Sequence, residues 1–164
     1  MSGSDQVHIL PTETYFTIVK QMLEETGQAR VRVTGMSMWP LLYHMRDSVV
    51  ISKPENGVVH TGDIVLYDRQ NGRYALHRVV QLKKDSFTMA GDNQWYLDRN
   101  LSYDQIIGVV TLINRNGRNI SHDNLFIKAY ALFVVCLSFP RIYLRKVIKK
   151  LSYFFRGLRQ PDSH

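Results

Sequence analysis

Asn71-Gly72-Arg73-Tyr74-Ala75-Leu76-His77-Arg78-Val79-Val80-Gln81-Leu82 decides the fold. Asn-Gly is a tight-turn dipeptide, and the residues from Tyr74 to Leu82 have the composition of a strand. The same grammar repeats on both sides. Val31–Thr34, Ser48–Ile51, Asp63–Tyr67, Ser86–Ala90 and Gln105–Asn114 are short, rich in valine and isoleucine, and set off by turn residues. Asn56-Gly57 and Asn116-Gly117 are further dipeptides of the hairpin-closing kind. Strands at this spacing predict an all-β sheet or a partly open barrel.

The flanks differ. Residues 12–26 predict an amphipathic helix, with Tyr15, Phe16, Val19, Met22 and Leu23 at helical spacing, Thr12 as its cap and Gly27 as its stop. Residues 1–6 are polar and carry no basic-then-apolar leader pattern. At the other end, Leu125–Phe139 is apolar except for Lys128, and Pro140 is expected to interrupt it. Beyond it, Leu144, Val147, Ile148, Leu151 and Phe155 share one face, while Arg145, Lys146, Lys149 and Lys150 fall mostly on the other. No acidic residue occurs between Leu125 and Gln160. A basic amphipathic segment of this kind suits an anionic membrane interface.

Composition narrows the function. The chain has 164 residues, 45% of them hydrophobic, enough for one packed domain with appendages. Its formal net charge of +7 calls for an anionic partner. That charge is concentrated at the C-terminus, and no nucleic-acid reading module is recognisable, so a membrane surface is expected and nucleic acid is not. Cys136, alone in an apolar run, is expected to be buried and inert. His8, His44, His60, His77, His122 and His164 show no pairing at ligand spacing, so neither a metal nor another cofactor is expected.

Gly35-Met36-Ser37-Met38-Trp39-Pro40-Leu41-Leu42 sets a serine between methionines in a crowded, apolar turn. A serine hydroxyl needs a neighbouring base to take its proton as it attacks. His77 can be that base, and a carboxylate on its other ring nitrogen would fix its tautomer. Two aspartates follow: Asp92 in Gly91-Asp92-Asn93, and Asp98 beyond it.

These residues together resemble the signal peptidase I family of serine proteases. Gly35-Met36-Ser37-Met38-Trp39-Pro40 is similar to its nucleophile box and Thr61-Gly62-Asp63-Ile64-Val65 to its Gly-Asp strand start. Leu76-His77-Arg78-Val79-Val80 is similar to the base box of the endoplasmic-reticulum and archaeal type, in which histidine replaces lysine. Gly91-Asp92-Asn93 and Ile107-Gly108-Val109-Val110 resemble the boxes that follow, and the likeness covers about residues 30–114. It implies a catalytic core of coiled, mainly antiparallel sheets, with Ser37 as nucleophile and His77 as general base. Asp98 is favoured as the partner of His77, with Asp92 as the alternative or a supporting group. The family carries an N-terminal transmembrane anchor where residues 1–30 here read as an amphipathic helix, so any anchor is expected at the C-terminus. Gly35 stands where many bacterial members have a serine whose hydroxyl helps hold the oxyanion. The wider group includes self-cleaving repressor proteases, but those use a lysine base and a preceding DNA-binding domain, and a repressor role is not expected.

The expectation is therefore a mainly β protein in three parts: a helical segment at 1–30, a peptidase-like β domain at 31–122, and apolar and basic C-terminal helices at 123–164. Its expected activity is endoproteolysis of a leader or export peptide, with Met36, Met38, Trp39 and Leu41 as an apolar substrate surface, the alternative being that several of them fill the core. The competing expectation is a weak or inactive peptide-binding module on the same scaffold. Expected partners are a peptide or protein substrate and a membrane surface, the latter met peripherally or monotopically through residues 125–156. The sequence leaves the oligomeric state open.

Overall fold

The computed structural model describes residues 11–70 and 72–157, with side chains as far as Ser152. A helix, α1 (Thr12–Thr26), leads into eight strands: β1 (Gln28–Arg32), β2 (Asp47–Ser52), β3 (Ile64–Asp68), β4 (Tyr74–Leu82), β5 (Phe87–Ala90), β6 (Asp98–Leu101), β7 (Ile106–Arg115) and β8 (Arg118–Ser121). A second helix, α2 (Leu125–Gly157), ends the described chain. The mainly β expectation, with a helix at each end, holds.

All strand pairs are antiparallel, in the order β1-β2-β7-β3-β4-β5-β6, with β8 also paired to β7. Register shifts interrupt the β2–β7, β3–β7, β4–β5 and β5–β6 pairs. Each such irregularity bends and twists its strand, so one sheet coils until both of its faces enclose a core. Asn116-Gly117 closes the β7–β8 hairpin. Asn56-Gly57 does not close a hairpin: it lies in a 3₁₀ turn between β2 and β3, which β7 separates.

The first core collects Val31, Val33, Met38, Leu42, Val49, Ile51, Leu66 and Ile113 from the sheet and the serine turn, with Val19 and Leu23 from α1. Phe16 stacks on Tyr74 with centroids 4.0 Å apart, extending that contact to β4. The second core, on the opposite face, gathers Val65, Tyr67, Val79, Phe87, Met89 and Val109.

The termini of the helices differ in detail from expectation. Thr12 is the first residue of α1 rather than its cap; Pro11 precedes it, and its carbonyl accepts the Tyr15 N–H. Gly27 ends α1 at φ 75°, a left-handed conformation that costs glycine little. Met22 is exposed, unlike Val19 and Leu23 on the packed face. Pro140 lies inside α2 and does not divide it into two helices. A proline removes one N–H from the helical ladder, and the packing of Ser138 and Ile142 on either side of Pro140 favours continuation. Cys136 is exposed rather than buried, because it falls on the side of α2 away from the sheet.

One face of α2 packs on the domain through Ile127, Tyr130, Ala131, Val134, Ser138 and Ile142. That spacing is a single helical stripe. Leu132, Phe133, Leu137, Tyr143, Leu144, Ile148 and Leu151 remain exposed. The segment Leu125–Ser152 is long and apolar enough, by length and composition, to cross a membrane.

Candidate active site

Ser37 lies in the turn after β1. Asp47, at the start of β2, staples the far end of that loop: its buried carboxylate accepts the Tyr43 N–H at 2.9 Å and pairs with the Arg46 guanidinium. Buried Met38 and Leu42 pull the middle of the turn into the first core. The Trp39–Pro40 peptide is cis. Gly35 has φ 83°, and its N–H donates to His44 Nδ1 at 2.9 Å. The left-handed backbone there favours glycine over any residue with a side-chain hydroxyl. The Ser37 N–H has no hydrogen-bond partner among the described residues.

His77 stands on β4 opposite Val65 of β3, on the face of the second core. It is only 2% exposed. Its Nδ1 lies 3.2 Å from Asp98 Oδ2 and 3.0 Å from the Tyr67 hydroxyl oxygen. The Tyr67 hydroxyl donates to the same Asp98 oxygen at 2.5 Å, and Arg69 Nη2 donates to Asp98 Oδ1 at 2.6 Å. Burial raises the Asp98 carboxyl, but hydrogen bonds from His77 and Tyr67 and the Arg69 charge outweigh it, holding the group below its ordinary value. Burial, and then the bond to Asp98, push the Tyr67 hydroxyl far above its ordinary value, so it keeps its proton.

These partners fix the histidine tautomer. Tyr67 has one hydroxyl hydrogen, and Asp98 takes it. An ionised Asp98 only accepts, so the proton between it and the ring must sit on Nδ1. In the neutral ring Nε2 is then the nitrogen with the lone pair, the arrangement a general base requires.

Because the Asp98 carboxyl is held low, it contributes stability that is present above the unfolded aspartate value of about 4 and is lost as pH falls through its folded value. Denaturant unfolding between pH 3 and 7 should show wild type and Asp98→Asn converging at the acid end and separating above about pH 4. Parallel curves would rule out this coupling.

Asp92 does different work. It does not reach His77. Its carboxylate forms a two-pronged pair with Arg78, Nε to Oδ1 at 2.9 Å and Nη2 to Oδ2 at 2.8 Å, and both side chains are buried. Arg78 Nη1 also donates to Gly62 O at 2.7 Å, and the guanidinium lies 5.5 Å from the centre of the Tyr130 ring. Neighbours on a strand point to opposite faces, so His77 faces one core while Arg78 anchors the other.

The Gly91-Asp92-Asn93 turn brings the serine to this strand. Asn93 N–H donates to Ser37 O at 2.8 Å, and Asn93 Nδ2 donates to Met36 O at 3.3 Å. Arg78 pairs with Ala90 at the end of the β4–β5 register, and Gly91 follows directly beyond it. A Cβ on Gly91 would lie 2.7 Å from Ser37 O and 2.8 Å from the Gln94 amide. Gly91→Ala should therefore displace the serine turn from the Gly91-Asp92-Asn93 turn. We expect the fold to survive and, if the expected endoproteolysis takes place at Ser37, its rate to fall about 100-fold, the scale of an ångström's misplacement; a rate within threefold of wild type would refute that spacing.

Ser37 Oγ and His77 are not hydrogen-bonded to each other. Of the four residues expected to form a substrate surface, Met38 and Leu41 are instead buried, while Met36 and Trp39 are exposed. Exposed Trp95 and Tyr96 follow the Gly91 turn. A cavity of about 980 Å³ opens under the start of α2, beside His60, Asp63, Ile113, His122 and Ile127, and Ser37, His77 and Asp98 are not in its walls. Among the described residues no group of three or more His, Cys, Asp or Glu side chains is placed to hold a metal ion.

Sequence reasoning missed Tyr67, Arg69 and the partner of Arg78. The register supplies Tyr67, since Val65 opposes His77 and Tyr67 shares its face two residues on.

The chain matches the Peptidase S24-like family model over residues 2–111 and belongs to that family. The matched segment contains the serine turn, His77, Asp92 and Asp98. No curated protein and no solved structure matches the chain.

Proposed function

We propose that this protein is a serine endopeptidase of the signal-peptidase type, working at a membrane surface on a leader or export peptide. The observation that carries the reading is the His77–Asp98–Tyr67 network, which turns Nδ1 to the carboxylate and makes Nε2 the lone-pair nitrogen of the neutral ring. Ser37 Oγ attacks the scissile carbonyl as Nε2 takes its proton. Asp98 holds the ring and offsets the positive charge that develops. Nε2 returns the proton to the leaving amine, and water, activated by the same nitrogen, releases the acyl group. The Ser37 N–H is the available oxyanion donor, and Gly35 adds no side-chain donor. One missing donor costs about 10²–10³ in rate, which suits a dedicated enzyme with slow turnover. Exposed Met36 and Trp39 offer an apolar rim to an extended substrate.

The deciding experiment incubates the protein with membrane-embedded leader peptides that carry small residues at the cut. Wild type should release the leader, and Ser37→Ala and His77→Ala should not. Equal processing by all three would leave a binding module as the surviving reading.

The membrane part rests on α2. Its exposed apolar residues lie opposite its packed stripe, while Arg141 and Arg145 reach the domain. A helix that spanned the bilayer would have to strip that stripe from the sheet and take those charges into hydrocarbon. A helix lying in the interface keeps both. Vesicles with 30% phosphatidylglycerol should therefore co-float with wild type. Replacing Phe133, Leu137 and Leu144 by serine should weaken binding at least about tenfold, since each buried methylene contributes about 0.8 kcal/mol. Unchanged flotation would rule this helix out as the contact.

A further inference from the structure

Arg141 of α2 reaches across to the turn that carries the serine. Its Nη1 donates to Asp92 O at 2.6 Å and its Nη2 to Gly91 O at 3.3 Å. The guanidinium lies 5.8 Å from the centre of the Trp95 ring, and Arg145 Nη1 donates to Trp95 O at 3.2 Å. These arginines hold the backbone carbonyls of Gly91, Asp92 and Trp95 from above, while Arg78 holds the Asp92 carboxylate from the sheet. The same turn passes its position to Ser37 through the Asn93 N–H and the close approach of Gly91 to Ser37 O. A planar guanidinium that spans two carbonyls fixes orientation as well as distance.

We infer that Arg141 is a positioning residue for Ser37, and that α2 presets the nucleophile turn as well as covering the sheet. Arg141 touches no reacting atom; it acts through Gly91, Asp92 and Asn93. Its catalytic readout rests on the peptidase reading above, whereas its effect on the turn does not.

The test compares Arg141→Ala and Arg141→Lys with Val134→Ala. Val134 is buried on the same face of α2 but has no part in the arginine contacts to the turn, so its truncation loosens the helix alone. Amide hydrogen exchange is followed at Asn93, whose N–H bonds to Ser37 O, and at Val79, whose N–H bonds to Asp63 O. In Arg141→Ala, Asn93 should exchange at least tenfold faster with Val79 unchanged; Arg141→Lys should restore part of the protection, and Val134→Ala should leave Asn93 as in wild type. On the leader-peptide substrate, Arg141→Ala should lower kcat about tenfold with KM within twofold. Unchanged Asn93 exchange, or equal acceleration in Val134→Ala, would overturn the inference, because Arg141 would then only help to seat the helix. Ser37→Ala separates the two claims. If it cleaves like wild type, the peptidase reading fails while the exchange data still decide the role of Arg141.

Discussion

Ser37→Ala is expected to lower leader-peptide cleavage by roughly 10⁴–10⁶, and adding His77→Ala should cost almost nothing more. In the proposed mechanism the two side chains act as one device: without the hydroxyl there is no proton for Nε2 to take, and without Nε2 the hydroxyl is a weak nucleophile. Their losses therefore do not add. Asp98→Asn should fall less far, by about 10³–10⁴, because it disturbs the tautomer and leaves both reacting atoms in place. Tyr67→Phe probes the same point from the other side, since it removes the hydroxyl that now donates to Asp98. Single-turnover rates on one substrate would decide the matter. Multiplying losses for Ser37→Ala and His77→Ala would show two independent contributions and would refute the shared proton path.

The second large effect concerns stability. Arg78 and Asp92 have side chains 1% and 0% exposed, and they face each other inside the first core's side of the sheet. Asp92→Ala leaves a guanidinium in the interior with only Gly62 O and the Tyr130 ring for company. Removing one partner of such a pair costs about 3–5 kcal/mol, most of it the burial of the charge left behind. The double variant Arg78→Met with Asp92→Leu should recover most of that loss, because it removes both charges. Urea unfolding midpoints of the two single variants and the double form the cycle. A double variant as unstable as the singles would show that the pair contributes through shape rather than charge. The double variant should still process poorly, since the Gly91 turn would lose its anchor on β4.

The sequence carried the parts of the structure that are local. The helix at 12–26 and the strands from β2 to β5 and β7 follow from apolar pattern and turn residues, which act within a few positions. β6 and β8 did not show, because Asp98-Arg99-Asn100-Leu101 and Arg118-Asn119-Ile120-Ser121 are polar and become strands only by pairing with β5 and β7. Pro140 misled for the same reason: its local penalty is real, but the packing of Ser138 and Ile142 on the domain is a tertiary effect. At the site, Ser37, His77, Asp92 and Asp98 stood out as residue types in a resembling order. The resemblance favoured Asp98 over Asp92 for His77, but that Arg78 would take Asp92 was not readable there, since neighbours on β4 point to opposite faces and only the register sends His77 towards Asp98 and Arg78 towards Asp92. Tyr67 looked like any strand tyrosine, and the pattern did not tell which of Met36, Met38, Trp39 and Leu41 would fill the core.

The two opposed faces of α2 have a consequence for how a substrate is found. With its apolar face in a bilayer, the protein would search a plane instead of a volume, and a substrate tethered to the same membrane would meet it at high effective concentration. Weak intrinsic affinity is then sufficient, and the short apolar rim of Met36 and Trp39 is enough. The same geometry would fix the height of Ser37 above the lipid, because Arg141 and Arg145 tie the helix to the turn beside it. Selection would then act partly as a ruler: a bond would be cut for its distance from the membrane as much as for the side chains around it.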